Sequence, residues 1–242
     1  MFSRFLRRHV RALRLPRWGL PDPGPPDAPL VVFANHPSWW DGVAFMMLAA
    51  RALPERRMFI PMEAAALRRY SFMRRIGVFG IETGSSRGAV AFLRVAGRVL
   101  ADPAHALWMN APGRFQDVRE RPVGITPGLV RLAEIAPNAR FLPLALEYPF
   151  WSERKPEMLA GFGTPILAAD LLALGREARA ERLRDALTVT MDRLAADALS
   201  RDTERFTVLV QGREGMGGIY DLWRHLRATV TGRSFDARHD AP

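Results

Sequence analysis

The 242-residue chain has no cysteine, so a disulfide framework and thiolate zinc sites are both excluded. Its five histidines, at positions 9, 36, 105, 225 and 239, show no metal-ligand spacing. No stretch approaches the ~18 to 20 uninterrupted apolar residues that a spanning helix needs. The longest candidate, residues 88–101, is interrupted by Arg94 and Arg98, so no membrane crossing is expected. Acidic residues are missing from the first twenty, which hold Arg4, Arg7, Arg8, Arg11, Arg14 and Arg17. Arginines so spaced leave no apolar core for a secretory signal, although an Arg-rich, acid-free start also fits an organelle transit peptide. No internal repeat is visible, and the one low-complexity block is a proline-rich run.

What is present is ordinary for one well-buried domain: 48% hydrophobic and 25% charged residues over 27.2 kDa. The net charge of +10 is concentrated at the amino end, which suits a phosphate-bearing partner, either anionic lipid or nucleic acid. Phe2, Phe5, Leu6, Val10 and Leu13 recur at helical spacing among those arginines, predicting a basic amphipathic helix over 1–15. Such a helix either lies in a bilayer interface or docks on the protein's own core. Six prolines between 16 and 29 then predict a stiff connector, with a folded domain over 30–232 and a disordered tail over 233–242. Apolar runs of strand length at 30–34, 56–60, 78–81, 106–110, 141–146 and 206–210 are separated by helical patterns at 42–50, 63–70, 87–100, 129–135 and 171–199. The alternation argues for an α/β fold, with a central, mostly parallel mixed sheet carrying helices on both faces.

The first strand runs into Asn35-His36-Pro37-Ser38-Trp39-Trp40-Asp41. A histidine is the side chain best suited to take a proton near neutral pH, and a carboxylate on its second ring nitrogen would fix the tautomer. Five residues on a regular helix span roughly 140°, so His36 and Asp41 meet only if His36 sits in the loop and Asp41 in the first turn after it. The bland alternative is a surface histidine beside a helix-start aspartate. Asn-His-x-x-x-x-Asp after an apolar strand resembles the first motif of the glycerophospholipid acyltransferase family, and the resemblance extends over about residues 30–165. It implies a glycerolipid-acyltransferase-like fold, His36 as general base and Asp41 as its orienter. It also implies an acceptor hydroxyl attacking an acyl thioester without a covalent acyl-enzyme, which suits a chain lacking cysteine. Asn35 is then a substrate-binding residue, and Trp39 and Trp40 line the acyl site.

Further blocks carry the same resemblance. Arg87, after strand 78–81, matches the arginine of the second motif, which binds the acceptor's phosphate. The third motif, Phe-Pro-Glu-Gly-Thr-Arg, is matched only in part by residues 110–115. Gly113 aligns with its glycine and Arg114 follows as a substrate-binding candidate, but Pro112 stands for the Glu and Phe115 for the final Arg. An acceptor other than plain lysophosphatidate is thereby favoured, with Arg119 and Arg121 as further phosphate contacts. Leu142 and Pro143 resemble the fourth motif, which lines the acyl site; such a run is equally a buried core strand. No metal and no cofactor are implied; acyl-CoA or acyl carrier protein is the donor and a membrane lipid the acceptor. The expected enzyme is an O-acyltransferase of phospholipid biosynthesis, peripheral on the cytoplasmic side of a membrane.

Two rivals stand beside it. Gly84-Ser85-Ser86-Arg87-Gly88 fits the Gly-x-Ser-x-Gly elbow of a serine hydrolase, with Ser86 as nucleophile and His225 or His239 as base; a turn with Ser85 or Ser86 capping the next helix explains the same residues. A nucleic-acid-binding protein would use the basic amino end, but no aromatic platform is interleaved with the arginines. Residues 212–218 are glycine-rich yet lack the phosphate-loop lysine, predicting a turn before an amphipathic helix over 219–230.

Overall fold

The computed structural model describes residues 2–212. The expected strand β2 (Leu30–Ala34) is fully buried along its length. Alternation sends Leu30, Val32 and Ala34 into one core and Val31 and Phe33 into another. Each large side chain so buried contributes roughly 1.5–3 kcal/mol, which sets β2 at the centre of the sheet. On its two sides lie β5 (His105–Asn110) and β6 (Arg140–Glu147), both parallel to it. Beyond β5 come β3 (Arg57–Glu63) and the edge strand β4 (Val78–Ile81), again parallel. On the other side, β7 (Met158–Phe162) runs antiparallel to β6. With β1 (Ala12–Pro16) and β9 (Phe206–Gln211), the described residues form a nine-stranded, mostly parallel mixed sheet in the order β4-β3-β5-β2-β6-β7-β1-β9, with β8 (Ile166–Leu167) paired to β6. The α/β architecture expected from the sequence is therefore present.

Helices cover both faces. The core over Val31 and Phe33 is closed by α4 (Ser86–Leu100), α5 (Pro127–Ile135), α6 (Ala168–Leu172) and α7 (Arg176–Ser200). On α7 the buried residues Leu183, Leu187, Met191, Leu194 and Ala198 form one stripe at helical spacing. The opposite core, over Val32, takes α1 (Phe2–His9), α2 (Asp41–Ala52) and α3 (Ala64–Arg69).

The amino end departs from expectation. Helix α1 stops at His9, and Ala12–Pro16 is strand β1, parallel to β7 and antiparallel to β9 (Phe206–Gln211). Leu6, Val10 and Leu13, three of the residues expected to form an apolar membrane face, are wholly buried in the core. The physical reason is that Leu13 and Leu15 satisfy strand alternation and gain two hydrogen-bonded neighbours, which one more helical turn would forfeit. Arg14 crosses into the interior and pairs with the equally buried Glu157 at 2.9 Å. The boundary expected at Leu30 thus falls between two strands of one sheet.

The proline-rich run is non-helical after Gly19, but it is tied down. The buried Arg56 guanidinium donates to the carbonyls of Pro23, Pro25, Ala28 and Pro103. Arg140 holds Asp22 at 2.7 Å. The turn expected over 212–218, the helix over 219–230 and the tail over 233–242 lie outside the described residues, apart from Gly212, which is hydrogen-bonded to Arg11.

Candidate active site

Strands β2, β3, β4, β5 and β6 all run the same way, so the loops leaving their carboxyl ends share one edge of the sheet, the usual place for a site in such a fold. The first residue beyond β2, Asn35, continues the ladder with its side chain. Its amide donates to the Leu146 carbonyl at 2.9 Å, and its carbonyl accepts from the Leu146 N–H at 2.8 Å. With 3% exposure, Asn35 is a clamp between β2 and β6, next to the His36 it was expected to assist in binding substrate. Both ends of the carboxamide are engaged by the Leu146 backbone, so its first role is to join the two strands.

Past that clamp the chain leaves the sheet and turns tightly. Asp41 N–H donates to the Ser38 carbonyl and Trp40 N–H to the Ser38 hydroxyl, which starts α2 at Asp41. The turn brings Asp41 Oδ2 to 2.6 Å from His36 Nδ1. Asp41 is fully buried, and its other oxygen accepts from the Tyr148 hydroxyl at 2.6 Å, while Ser38 N–H reaches Oδ2 at 3.3 Å. Since a carboxylate only accepts, the proton of the neutral imidazole sits on Nδ1. Nε2, with no partner among the described residues, is then the basic nitrogen.

Burial raises the Asp41 pKa, and the donors from His36, Tyr148 and Ser38 oppose that rise. Tyr148, just past β6, is pushed well above the usual phenol range by burial and then by the Asp41 charge, so it remains a donor. Glu147, half-buried at the end of β6, is also raised by burial, against the charge of Arg121.

Two loops close around His36. From the β5 side, Gln116 N–H donates to the His36 carbonyl at 3.0 Å, and the Phe115 ring lies 4.2 Å from the imidazole, tilted by 30°. From the amino end, Phe5 and His9 of α1 pack on Trp40 at 5.4 and 5.8 Å, and Trp39 crosses Trp40 edge-on. Trp39 itself is 61% exposed. Tyr148 and Phe115 have no local sequence signal. Each reaches the site only because β6 and β5 flank β2, an adjacency that spacing along the chain does not encode.

Of the other expected residues, two lie in the core, one at the start of α4 and two in the loop that carries Phe115. Leu142 and Pro143 are buried within β6; they are core, as a central strand covered on both faces requires, and do not line an open site. Arg87 is exposed at the start of α4. It shares the carboxyl edge, but β4 is three strands from β2, about 14 Å at the usual ~4.8 Å spacing. Gly113 turns the chain at φ 66°, where a Cβ would meet Thr126 at 2.7 Å. Arg114 is exposed and pairs with Glu120 at 3.2 Å.

The serine elbow is accounted for by backbone geometry. Ser85 Oγ accepts from Gly88 N–H at 3.0 Å and caps α4, and a Cβ on Gly88 would collide with the Glu82 carbonyl. Ser86 is exposed in the first turn, and His225 and His239 lie outside the described residues. Among the described residues no group of three or more His, Asp or Glu could hold a metal ion, and no helix is long and apolar enough to cross a membrane. No protein-family model matches the chain, and no curated protein matches it.

Proposed function

We propose that the protein is an O-acyltransferase that moves a fatty acyl group from an acyl-CoA or acyl carrier protein thioester to a hydroxyl of a lysophospholipid or related lipid. The observation that carries this reading is the 2.6 Å contact of His36 Nδ1 with the fully buried Asp41. It leaves Nε2 as a base beside an open loop. In the reaction the acceptor oxygen attacks the thioester carbonyl while Nε2 takes its proton. The C–S bond then breaks, and the departing thiolate receives that proton from the imidazolium. Asp41 stabilises the imidazolium between the two steps, and Tyr148 holds Asp41. The likeness of residues 35–41 to the first motif of the glycerophospholipid acyltransferases supports the same chemistry, and the sheet with its site at the carboxyl edge is compatible with such a fold.

A lipid acceptor implies work at a bilayer, on its cytoplasmic side, by a peripheral protein. Arg4, Arg7 and Arg8 are exposed on α1, and the exposed Phe5 and Trp39 lie 6.4 Å apart between that helix and the His36 loop. This rim is the surface we assign to anionic lipid, in place of the buried stripe of Leu6 and Val10.

The test is thioester consumption by the full chain with a panel of lysolipids. His36→Ala should lower the rate by about 10²–10⁴, the usual contribution of a positioned base. Activity that survives His36→Ala and disappears in Ser86→Ala would replace this reading with a serine hydrolase.

A further inference from the structure

Residues 111–126 form the loop that faces His36, and the loop is held from within. Gln116 accepts from Gly124 N–H at 3.0 Å and donates to the Pro122 carbonyl at 3.1 Å. Its three guanidiniums are each committed to a carboxylate: Arg114 to Glu120, Arg119 to both oxygens of Asp117, and Arg121 to Asp192. What the loop turns toward the imidazole is a phenyl ring, Phe115, which is 59% exposed. An aromatic ring left largely in water adds little to the core, so its place on His36 calls for another account.

We propose that Phe115 determines acceptor specificity: it is the wall on which the hydroxyl-bearing part of the acceptor lies, and it selects a hydroxyl with uncharged neighbours over one beside a phosphate ester. The inference rests on the acyltransferase reading and narrows its substrate class to neutral lipid alcohols. A phosphate next to the reacting hydroxyl would press against the negative face of the ring. It would also lose water against a ring that offers no hydrogen bond in return, since the loop's guanidiniums are turned to Glu120, Asp117 and Asp192 while the phenyl faces the imidazole. A glycerol or sugar carbon skeleton has no such charge to desolvate and gains contact with the phenyl. The same ring favours the chemistry, since an imidazolium over an aromatic face is attracted to it. Arg87 opens α4 beyond β4, which is three strands and about 14 Å of sheet from β2, and it is the Phe115 ring, not Arg87, that contacts His36.

The experiment compares monooleoylglycerol with its phosphate ester, which presents the same acyl chain and the same hydroxyl, using kcat/KM for each. The wild type should prefer the neutral acceptor by roughly tenfold or more, Phe115→Leu, which keeps an apolar wall without the negative ring face, should reduce that preference without reversing it, and Phe115→Arg should move the ratio toward the phosphate ester by about tenfold or more. Circular dichroism confirms that the variants fold, as expected for an exposed position. Equal or better use of the phosphate ester by the wild type overturns the inference while the acyltransferase reading stands. An unchanged ratio in Phe115→Arg has the same effect. Absence of acyl transfer to any lipid hydroxyl refutes the reading and the inference together.

Discussion

Asp41 holds the catalytic proposal together, and it does so against its own burial. Its folded pKa lies above the ordinary carboxylate value, so the folded state binds this proton more tightly than the unfolded chain. The group's contribution to stability is therefore greatest below the unfolded value and is lost as pH rises through the folded one. Catalysis has the opposite requirement, since the imidazolium needs the ionised carboxylate. After the His36 ring N–H, the Tyr148 hydroxyl is the donor that eases ionisation, at 2.6 Å from a fully buried carboxylate. Tyr148→Phe removes only that hydroxyl, so the acid limb of the kcat/KM profile should move to higher pH while the rate on the plateau changes little. A profile that superimposes on the wild type would reduce Tyr148 to packing.

At the scale of the element, the proline-rich run behaves as part of the fold, because a single buried guanidinium collects three of its carbonyls and one from Pro103. Arg56→Met keeps the stem and leaves those carbonyls without their donor. We expect a loss of roughly 2–4 kcal/mol in urea unfolding, with early cleavage between residues 20 and 29 on limited proteolysis; a loss under about 0.5 kcal/mol would show the clasp to be incidental. None of this was legible in the chain, where prolines predict a spacer and Arg56 reads as one arginine among many. Six of the strands from Leu30 onward, β2 to β6 and β9, were legible, since apolar runs bounded by turns have few other uses. β1 was not, because Leu13 falls on the helical spacing of Phe5, Leu6 and Val10, and nothing local reports its partners at Met158 and Val210. β7 was missed for a related reason, its Ala160 and Gly161 being poor strand formers that neighbours hold in place. Within the site, His36 and Asp41 were legible because one tight turn joins them, whereas Tyr148 and Phe115 arrive across the sheet.

Over the whole molecule, charge is distributed so that the mouth of the site and the exposed arginines of α1 border one another through the Phe5, Trp39 and Trp40 cluster. If that rim meets lipid, replacing Arg4, Arg7 and Arg8 together by Gln should weaken sedimentation with anionic vesicles by on the order of a hundredfold at low salt, at ~1 kcal/mol per charge. Thermal unfolding should be unaffected, since these side chains are in solvent. Vesicle binding equal to the parent's would move the lipid-facing surface elsewhere. Truncating the amino end would be a poor substitute for these variants, because β1 is wedged between β7 and β9. That wedge also orders the protein's birth. A ribosome makes β1 long before either partner, so the strand must wait, unpaired and apolar, until Met158 and then Val210 emerge. The flank of the sheet beyond β6 closes only with the last of these, and a nascent chain at that stage is a natural client for a chaperone that masks exposed strand edges.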